Sequence, residues 1–207
     1  MKIYFIRHTE ADDDRRDSYG GIADDPLIES GKKYARNVGQ VLSTRNIEVV
    51  YTSPYIRARE TAELINEALS VEVVEIYNLR ERNSYGVLSG IEKSRAKTLF
   101  PPIYMRVQQM KENDTKPSES VETLPGAETY TEILLRAKDA FNQIYRESKL
   151  ANFKRVAVVT HGGFAWAFFK DVVKIPKQLE KGEIVVLEGN DIVSLTINEK
   201  ETEELRK

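Results

Sequence analysis

The chain contains no cysteine among its 207 residues. This absence excludes disulfide bonds, thiolate metal sites, iron–sulfur clusters and every enzyme class that uses a cysteine nucleophile. There is also no excess of basic residues, because 31 Lys and Arg are balanced by 33 Asp and Glu, for a formal net charge of −2. Dedicated nucleic-acid-binding proteins usually carry such an excess, so we expect no nucleic-acid partner.

Long apolar runs are missing as well. No stretch approaches the roughly 18 consecutive apolar residues that a membrane-spanning helix needs, and the first residues lack the pattern of a signal peptide. We therefore expect a cytoplasmic protein without a membrane partner. The rest of the composition, with 41% hydrophobic and 31% charged residues, is typical of a globular domain.

Histidine is scarce, and both histidines of the chain occupy the same kind of position. His8 ends the apolar run that begins at Lys2, and His161 directly follows the run RVAVVT. Ligands bind at the carboxyl ends of strands in open α/β sheets. One histidine at a strand end is as readily explained by a hydrogen bond in the core. Two in equivalent positions indicate a shared site.

Segments with the apolar patterns of strands and helices alternate along the chain. Strands are predicted at 2–6, 49–53, 71–77 and 155–160, and helices at 30–45 (with Ser30 as N-cap), 56–69 and 130–149, with a further helix that begins in 91–100. A hairpin is predicted at 182–197 and a loop at 12–26. This alternation predicts an α/β fold, a three-layer α/β/α sandwich whose mostly parallel central sheet carries an edge hairpin. The length suits one domain over residues 1–207, with 91–128 as a cover over the active site.

Several groups suited to bind an anion lie beside the two histidines. Arg7 precedes His8, and a glycine pair that begins at Gly162 follows His161 and opens a helix. Such a helix start binds anions through its backbone N–H groups. Arg57 lies in the first turn of another predicted helix, where the positive end of the helix dipole disfavours a cation unless an anion is bound nearby. Since arginines pair with phosphate through two hydrogen bonds, the arrangement predicts a phosphate pocket.

Six motifs make the prediction more specific. In chain order they are IRHTE (6–10), DDPLIESGKKYA (24–35), YTSPYIRARETAELI (51–65), LRERNSYGVLSG (79–90), LPGAE (124–128) and VVTHGG (158–163). Their order and spacing resemble those of the histidine phosphatase superfamily, the family of cofactor-dependent phosphoglycerate mutase and many phosphomonoesterases. The resemblance spans most of the chain and implies a phosphoglycerate mutase-like fold.

The resemblance also implies a role for each matching residue. His8 would be the nucleophile that becomes phosphorylated, and Glu81 would protonate the leaving group. The expected phosphate- or substrate-binding residues are Arg7, Arg57, Arg82, His161 and Gly162. Catalysis of phosphoryl transfer rests on positioning and electrostatics, and the two nearby arginines favour the neutral, attacking form of His8. His161 is expected to contribute most when protonated, which bound phosphate promotes, and Glu81 must hold a proton near neutral pH.

The chain departs from the family pattern after the first motif. Thr9 replaces a common glycine, and Asp14 lies near a position where asparagine is frequent. A carboxylate there would repel a phosphate dianion unless Arg15 or Arg16 compensates its charge. The run Asp12–Asp14 lacks the spacing of a calcium-binding loop, and we interpret it as a solvated acidic loop. No metal site is predicted.

The sequence favours hydrolysis over mutase chemistry. A mutase excludes water and holds a phosphoglycerate with additional cations; Arg82 and Lys93 fit that pattern, but residues 103–113 lack the expected arginine pair. We therefore predict a phosphomonoester hydrolase for a small phosphorylated metabolite, acting without a cofactor. The alternatives are a mutase with 2,3-bisphosphoglycerate as cofactor, and an inactive binding or regulatory module of the same fold. A homodimer through the 182–197 hairpin also stays open.

Overall fold

The computed structural model describes residues 1–113, 120, 123–188 and 191–193. Its strands are β1 (Lys2–Arg7), β2 (Val49–Thr52), β3 (Glu72–Glu75), β4 (Arg155–Thr160), β5 (Ile184–Glu188) and β6 (Asp191–Val193). Its α-helices are α1 (Asp12–Arg15), α2 (Glu29–Ser43), α3 (Ile56–Leu69), α4 (Lys93–Leu99), α5 (Pro101–Glu112), α6 (Tyr130–Leu150) and α7 (Gly162–Ala167). Shorter helical turns cover Tyr77–Leu79, Gly86–Leu88 and Phe168–Val173.

One sheet organises the described residues, with the strand order β3-β2-β4-β1-β5-β6. The first four strands in this order are parallel, whereas β5 and β6 form an antiparallel edge. In the β1–β4 pair Arg7 lies opposite Thr160, so His8 and His161 leave the sheet side by side. Thr52 of β2 lies opposite Val159, which brings the next residue of β2's chain, Ser53, to the same edge.

Both faces of the sheet are buried. In β1, Ile3 and Phe5 belong to one apolar core, and Tyr4 and Ile6 belong to another, as expected when successive side chains point to opposite faces. Helices α2 and α3 cover the face of Tyr4, and α6 and α7 cover the face of Phe5. The predicted three-layer sandwich with a mostly parallel sheet is therefore confirmed.

A smaller cluster lies beside the sheet and includes residues of α4 and α5. Its buried members are Tyr19, Leu88, Ala96, Val107, Met110 and Leu124. It joins the predicted cover to the loop after β1. Residues 114–119 and 121–122 of that cover lie outside the described residues, and its function as a cover stays a prediction.

Three local predictions are wrong in detail. Helix α2 begins at Glu29 after Ile28, and the Ser30 hydroxyl donates to Glu10 Oε2 at 2.8 Å instead of capping the helix. The predicted loop 12–26 contains the short helix α1. Strand β3 ends at Glu75, because the chain then turns into a 3₁₀ helix.

The edge hairpin agrees with the prediction in its paired strands β5 and β6. Its turn at 189–190 and the residues after 193 lie outside the described part, and a homodimer through this edge stays a prediction. No helix among the described residues is long and apolar enough to cross a membrane.

Candidate active site

His8 is held at the end of β1 in the form that a nucleophile requires. Its Nδ1 lies 2.8 Å from the carbonyl oxygen of Thr9. A carbonyl only accepts hydrogen bonds, so Nδ1 carries the hydrogen and Nε2 carries the lone pair. Burial, followed by the charges of Arg57 and Arg7, lowers the pKa of His8 well below its usual value. The ring is therefore neutral, and the unprotonated nitrogen is Nε2.

Arg57 lies next to that atom. Its Nε donates to His8 Nε2 at 3.3 Å, and its terminal nitrogens donate to Gly21 O at 2.9 Å and to Ala23 O. The first turn of α3 contains no acidic residue, so the guanidinium is held by carbonyl groups of a neighbouring loop. This arrangement fixes a cation where the phosphoryl oxygens would lie.

Arg7 is anchored at one end only. Its Nη1 donates to Leu179 O at 3.0 Å, and its Nε is buried without a partner among the described residues. The guanidinium lies against Gly162, where an added Cβ would come within 3.1 Å of Arg7 Cζ. A glycine at this position leaves room for the arginine, which keeps a donor for an anion.

His161 is fully buried between Ser53 and His8. Its Nε2 lies 2.7 Å from Ser53 Oγ, and its ring centroid lies 5.1 Å from that of His8. Burial, then the charges of Arg57, His8 and Arg7, lowers the pKa of His161 well below its usual value. The ring of His161 is therefore neutral in the free protein, and its protonation in the presence of phosphate stays a prediction.

Glu81 is bound by the start of α7. Its carboxylate accepts hydrogen bonds from the backbone N–H groups of Gly163 at 3.1 Å, Phe164 at 2.9 Å and Arg82 at 2.7 Å. The glycine pair was expected to present its N–H groups to phosphate. In the structure the N–H of Gly163 binds the candidate acid instead, whereas Gly162 lies with Glu81 and His8 on the wall of one pocket.

Arg82 takes a position different from the one expected. Its guanidinium is buried and donates to Ser120 O at 2.8 Å and to Glu128 O at 3.3 Å, and it lies 5.4 Å from the centre of the Tyr130 ring. Within the described residues neither Arg82 nor the fully buried His161 is part of the pocket wall. These contacts tie the 79–90 segment to the chain before α6, and substrate binding by Arg82 stays a prediction.

The pocket itself has a volume of about 350 Å³, which is at the lower end of the range for small-molecule sites. Besides Arg7, His8, Arg57, Glu81 and Gly162, its wall includes Asp13, Asp14, Ser84, Tyr85, Lys93, Gln178 and Lys181. Most of these side chains are polar. The size and lining suit a small, charged metabolite.

The Asp14 carboxylate is neutralised by a cation that was not predicted from the sequence. Asp14 forms an ion pair with Lys181, and its other oxygen accepts from the N–H of Ala11 at 3.0 Å. Arg15 and Arg16, the expected partners, pair with Asp12 at 2.7 and 2.9 Å. Across the described ranges no group of three or more His, Asp or Glu side chains is arranged to hold a metal ion.

The likeness to known proteins extends over nearly the whole chain. Residues 3–205 match the family model of the histidine phosphatase superfamily (branch 1). The chain belongs to this superfamily. The resemblance inferred from the six motifs is thereby confirmed, and the two histidines described above are the ones that those motifs contain.

Known histidine phosphatase relatives have both phosphatase and mutase names. An uncharacterized phosphatase, PhoE of Bacillus subtilis (strain 168), is 27% identical over 183 residues, 88% of this chain and 83% of that protein. A 2,3-bisphosphoglycerate-dependent phosphoglycerate mutase of Lachnoclostridium phytofermentans is 27% identical over 192 residues, 82% of this chain and 76% of that protein. A mycobacterial glucosyl-3-phosphoglycerate phosphatase of 20% identity shares the histidine phosphatase fold, with a TM-score of 0.73 over 92% of this chain and 94% of its own.

Proposed function

We propose that this protein is a phosphomonoester hydrolase that acts through a phosphohistidine at His8. The observation that carries the proposal is the hydrogen bond from His8 Nδ1 to Thr9 O, which leaves the Nε2 lone pair beside Arg57. A neutral imidazole whose unprotonated nitrogen lies against a fixed guanidinium is suited to attack a phosphorus atom whose oxygens the guanidinium binds.

The first half of the proposed reaction breaks the ester bond. Arg7, Arg57 and His161 bind the phosphoryl oxygens, and His8 Nε2 forms a bond to phosphorus as the phosphorus–oxygen bond of the ester breaks. Glu81 gives its proton to the departing alkoxide, so the product leaves as an alcohol. The protein then holds a phosphorylated His8 and an ionised Glu81.

The second half restores the protein. A water molecule attacks phosphorus, and Glu81 accepts the proton that the water loses. The nitrogen–phosphorus bond breaks, the electron pair returns to His8 Nε2, and inorganic phosphate is released. No metal ion or organic cofactor takes part in this scheme.

The charges around the pocket support a hydrolase over a mutase. A mutase must bind a second acidic group of its substrate, for which cations other than Arg7 and Arg57 are needed. In this structure Lys181 is paired with Asp14, Lys93 is paired with Asp17, and Arg82 is turned to backbone carbonyls. These neighbouring cations are therefore engaged by groups of the protein itself.

A steady-state assay tests the proposal. The purified protein should release inorganic phosphate from p-nitrophenyl phosphate in the presence of a metal chelator, and His8→Ala should abolish the release. With 3-phosphoglycerate and 2,3-bisphosphoglycerate, we expect no efficient conversion to 2-phosphoglycerate. Rapid conversion would identify a mutase. The absence of both activities and of a phosphorylated protein would identify an inactive binding module.

A further inference from the structure

Ser53 links the end of β2 to the second histidine of the site. Both residues are fully buried, and Ser53 Oγ lies 2.7 Å from His161 Nε2. Ser53 lies in the motif YTSPYIRARETAELI (51–65), and the sequence predicts no role for its hydroxyl group. A buried hydroxyl next to an imidazole decides where the hydrogens of that ring lie.

The hydrogen-bond partners of Ser53 Oγ determine the direction of this bond. The backbone N–H of Tyr55 donates to Oγ at 3.3 Å and cannot accept a bond in return. The hydroxyl has a single hydrogen, and among the described residues His161 Nε2 is the acceptor within reach of it. Donation to Nε2 gives this hydrogen an acceptor, whereas acceptance from an Nε2–H would leave it unpaired, so the arrangement favours donation by Ser53 and a hydrogen on Nδ1 of the neutral His161 ring.

In this tautomer the other nitrogen of the ring carries a hydrogen, and it has no partner among the described residues. His161 Nδ1 is buried and forms no hydrogen bond with the described residues, although the His8 ring is only 5.1 Å away. A buried donor without an acceptor costs free energy in the empty protein. It is suited to a ligand oxygen that arrives next to His8.

We propose that Ser53 is a positioning residue that fixes His161 as its Nδ1–H tautomer, so that Nδ1 donates a hydrogen bond to a phosphoryl oxygen during transfer. The part concerning transfer rests on the proposed function, whereas the tautomer does not. A donor that is already oriented stabilises the developing charge without further rearrangement. With the opposite tautomer, the Nδ1 lone pair would face the phosphoryl oxygens and repel them.

The low pKa of His161 agrees with this arrangement. Burial, Arg57, His8 and Arg7 all disfavour a second proton on the ring, so the neutral ring depends on one nitrogen for donation. The choice of tautomer then matters, because an imidazolium would donate from both nitrogens whatever Ser53 did. A residue that only packs at the end of β2 would have no influence on this choice.

Nuclear magnetic resonance of the ring nitrogens measures the tautomer directly. The full-length ¹⁵N-labelled protein has only two histidines, and a His8→Gln variant assigns the signals of each. We expect His161 of the wild type to be protonated on Nδ1, and Ser53→Ala to shift it toward protonation on Nε2. Protonation of wild-type His161 on Nε2, or an unchanged tautomer in Ser53→Ala, would overturn the proposal.

Ser148→Ala is the matched control. Ser148 is also fully buried, and its hydroxyl is bonded to Tyr51 OH at 3.2 Å, away from the pocket. This variant removes the same atom from the core and should leave both histidine spectra unchanged. If Ser53→Ala does not fold, the wild-type spectrum still decides the tautomer.

Kinetics test the part of the proposal that concerns transfer. With p-nitrophenyl phosphate, kcat/KM of Ser53→Ala should fall roughly 10²-fold, as expected when a group is displaced from its productive position. Ser53→Thr keeps the hydroxyl and should recover most of the loss, and Ser148→Ala should equal the wild type. Equal losses in Ser53→Ala and Ser53→Thr would contradict a positioning role. An Nδ1–H tautomer in a protein that hydrolyses no phosphomonoester would refute the proposed function and leave the role of Ser53 in setting the tautomer intact.

Discussion

Lys181, from the segment before β5, forms an ion pair with Asp14, which lies in the short helix α1 beside the pocket. The pair cancels a negative charge that would otherwise face an incoming phosphate. Its two residues are far apart in the chain, and their encounter depends on the β1–β5 pairing.

Lys181→Ala should weaken substrate binding. The unpaired Asp14 carboxylate would then repel the phosphate dianion, and we expect KM for p-nitrophenyl phosphate to rise roughly 10-fold, a cost of about 1.4 kcal/mol. The double variant Lys181→Ala/Asp14→Asn removes both charges and should restore KM. A double variant as impaired as Lys181→Ala would show that Lys181 contacts the substrate itself.

Glu81→Gln should slow hydrolysis to an extent that depends on the leaving group of the substrate. A simple alkoxide needs a proton to depart, whereas p-nitrophenolate leaves without one, so hydrolysis of an alkyl phosphate should fall by about 10²–10⁴-fold and that of p-nitrophenyl phosphate far less. The new amide NH₂ would also face a backbone N–H of Gly163 or Phe164, and two donors cannot form a hydrogen bond with each other. This conflict should lower the free energy of unfolding by about 1–3 kcal/mol. Equal losses for the two substrates would argue against Glu81 as the acid.

Arg82→Ala should affect stability more than substrate binding. The buried guanidinium donates to the carbonyls of Ser120 and Glu128, and its loss leaves buried acceptors unpaired, which costs about 1–3 kcal/mol. We expect a lower Tm with KM close to that of the wild type. Arg80→Ala, a change at the partly exposed neighbour, provides the comparison. A large rise in KM at unchanged Tm would contradict this and show that Arg82 binds substrate.

The stability of the protein should fall in mild acid. Burial and the nearby arginines lower the pKa of both His8 and His161 in the folded state, whereas both titrate near 6.5 when unfolded. Below that pH the unfolded chain takes up protons that the folded protein excludes. The free energy of unfolding should therefore fall by up to about 1.4 kcal/mol per pH unit for each histidine.

Urea unfolding as a function of pH measures this effect. The slope below pH 6.5 should be smaller in His161→Gln than in the wild type, because one of the two groups no longer titrates. Above that pH the two slopes should agree. Equal slopes in acid would show that His161 is not held neutral by the fold.

The parts of the site that the sequence predicted are those fixed by strand ends. The positions of these residues follow from the boundaries of local elements. His8 and His161 directly follow β1 and β4, Arg57 lies in the first turn of α3, and the apolar pattern that reveals these boundaries is local. Their meeting follows from the general rule for parallel strands. The α/β fold was predictable for the same reason.

The parts that could not be predicted depend on side-chain direction or on distant contacts. Arg82 neighbours Glu81 in the chain, yet its side chain points into the protein while that of Glu81 faces the pocket. The pairing of Lys181 with Asp14 cannot be predicted from the sequence around either residue. Ser30 was suited to cap α2, but a partner elsewhere, Glu10, binds its hydroxyl.

The pairing of Arg7 with Thr160 has a consequence for variation in the core. If β4 slipped by one residue along β1, every side chain of β4 would turn to the opposite face, and His161 would move by about 3.3 Å. The packing of the alternating apolar side chains of β1 and β4 therefore fixes the distance between the two histidines. A core substitution that weakens this packing would lower the activity, although the substituted residue does not line the pocket.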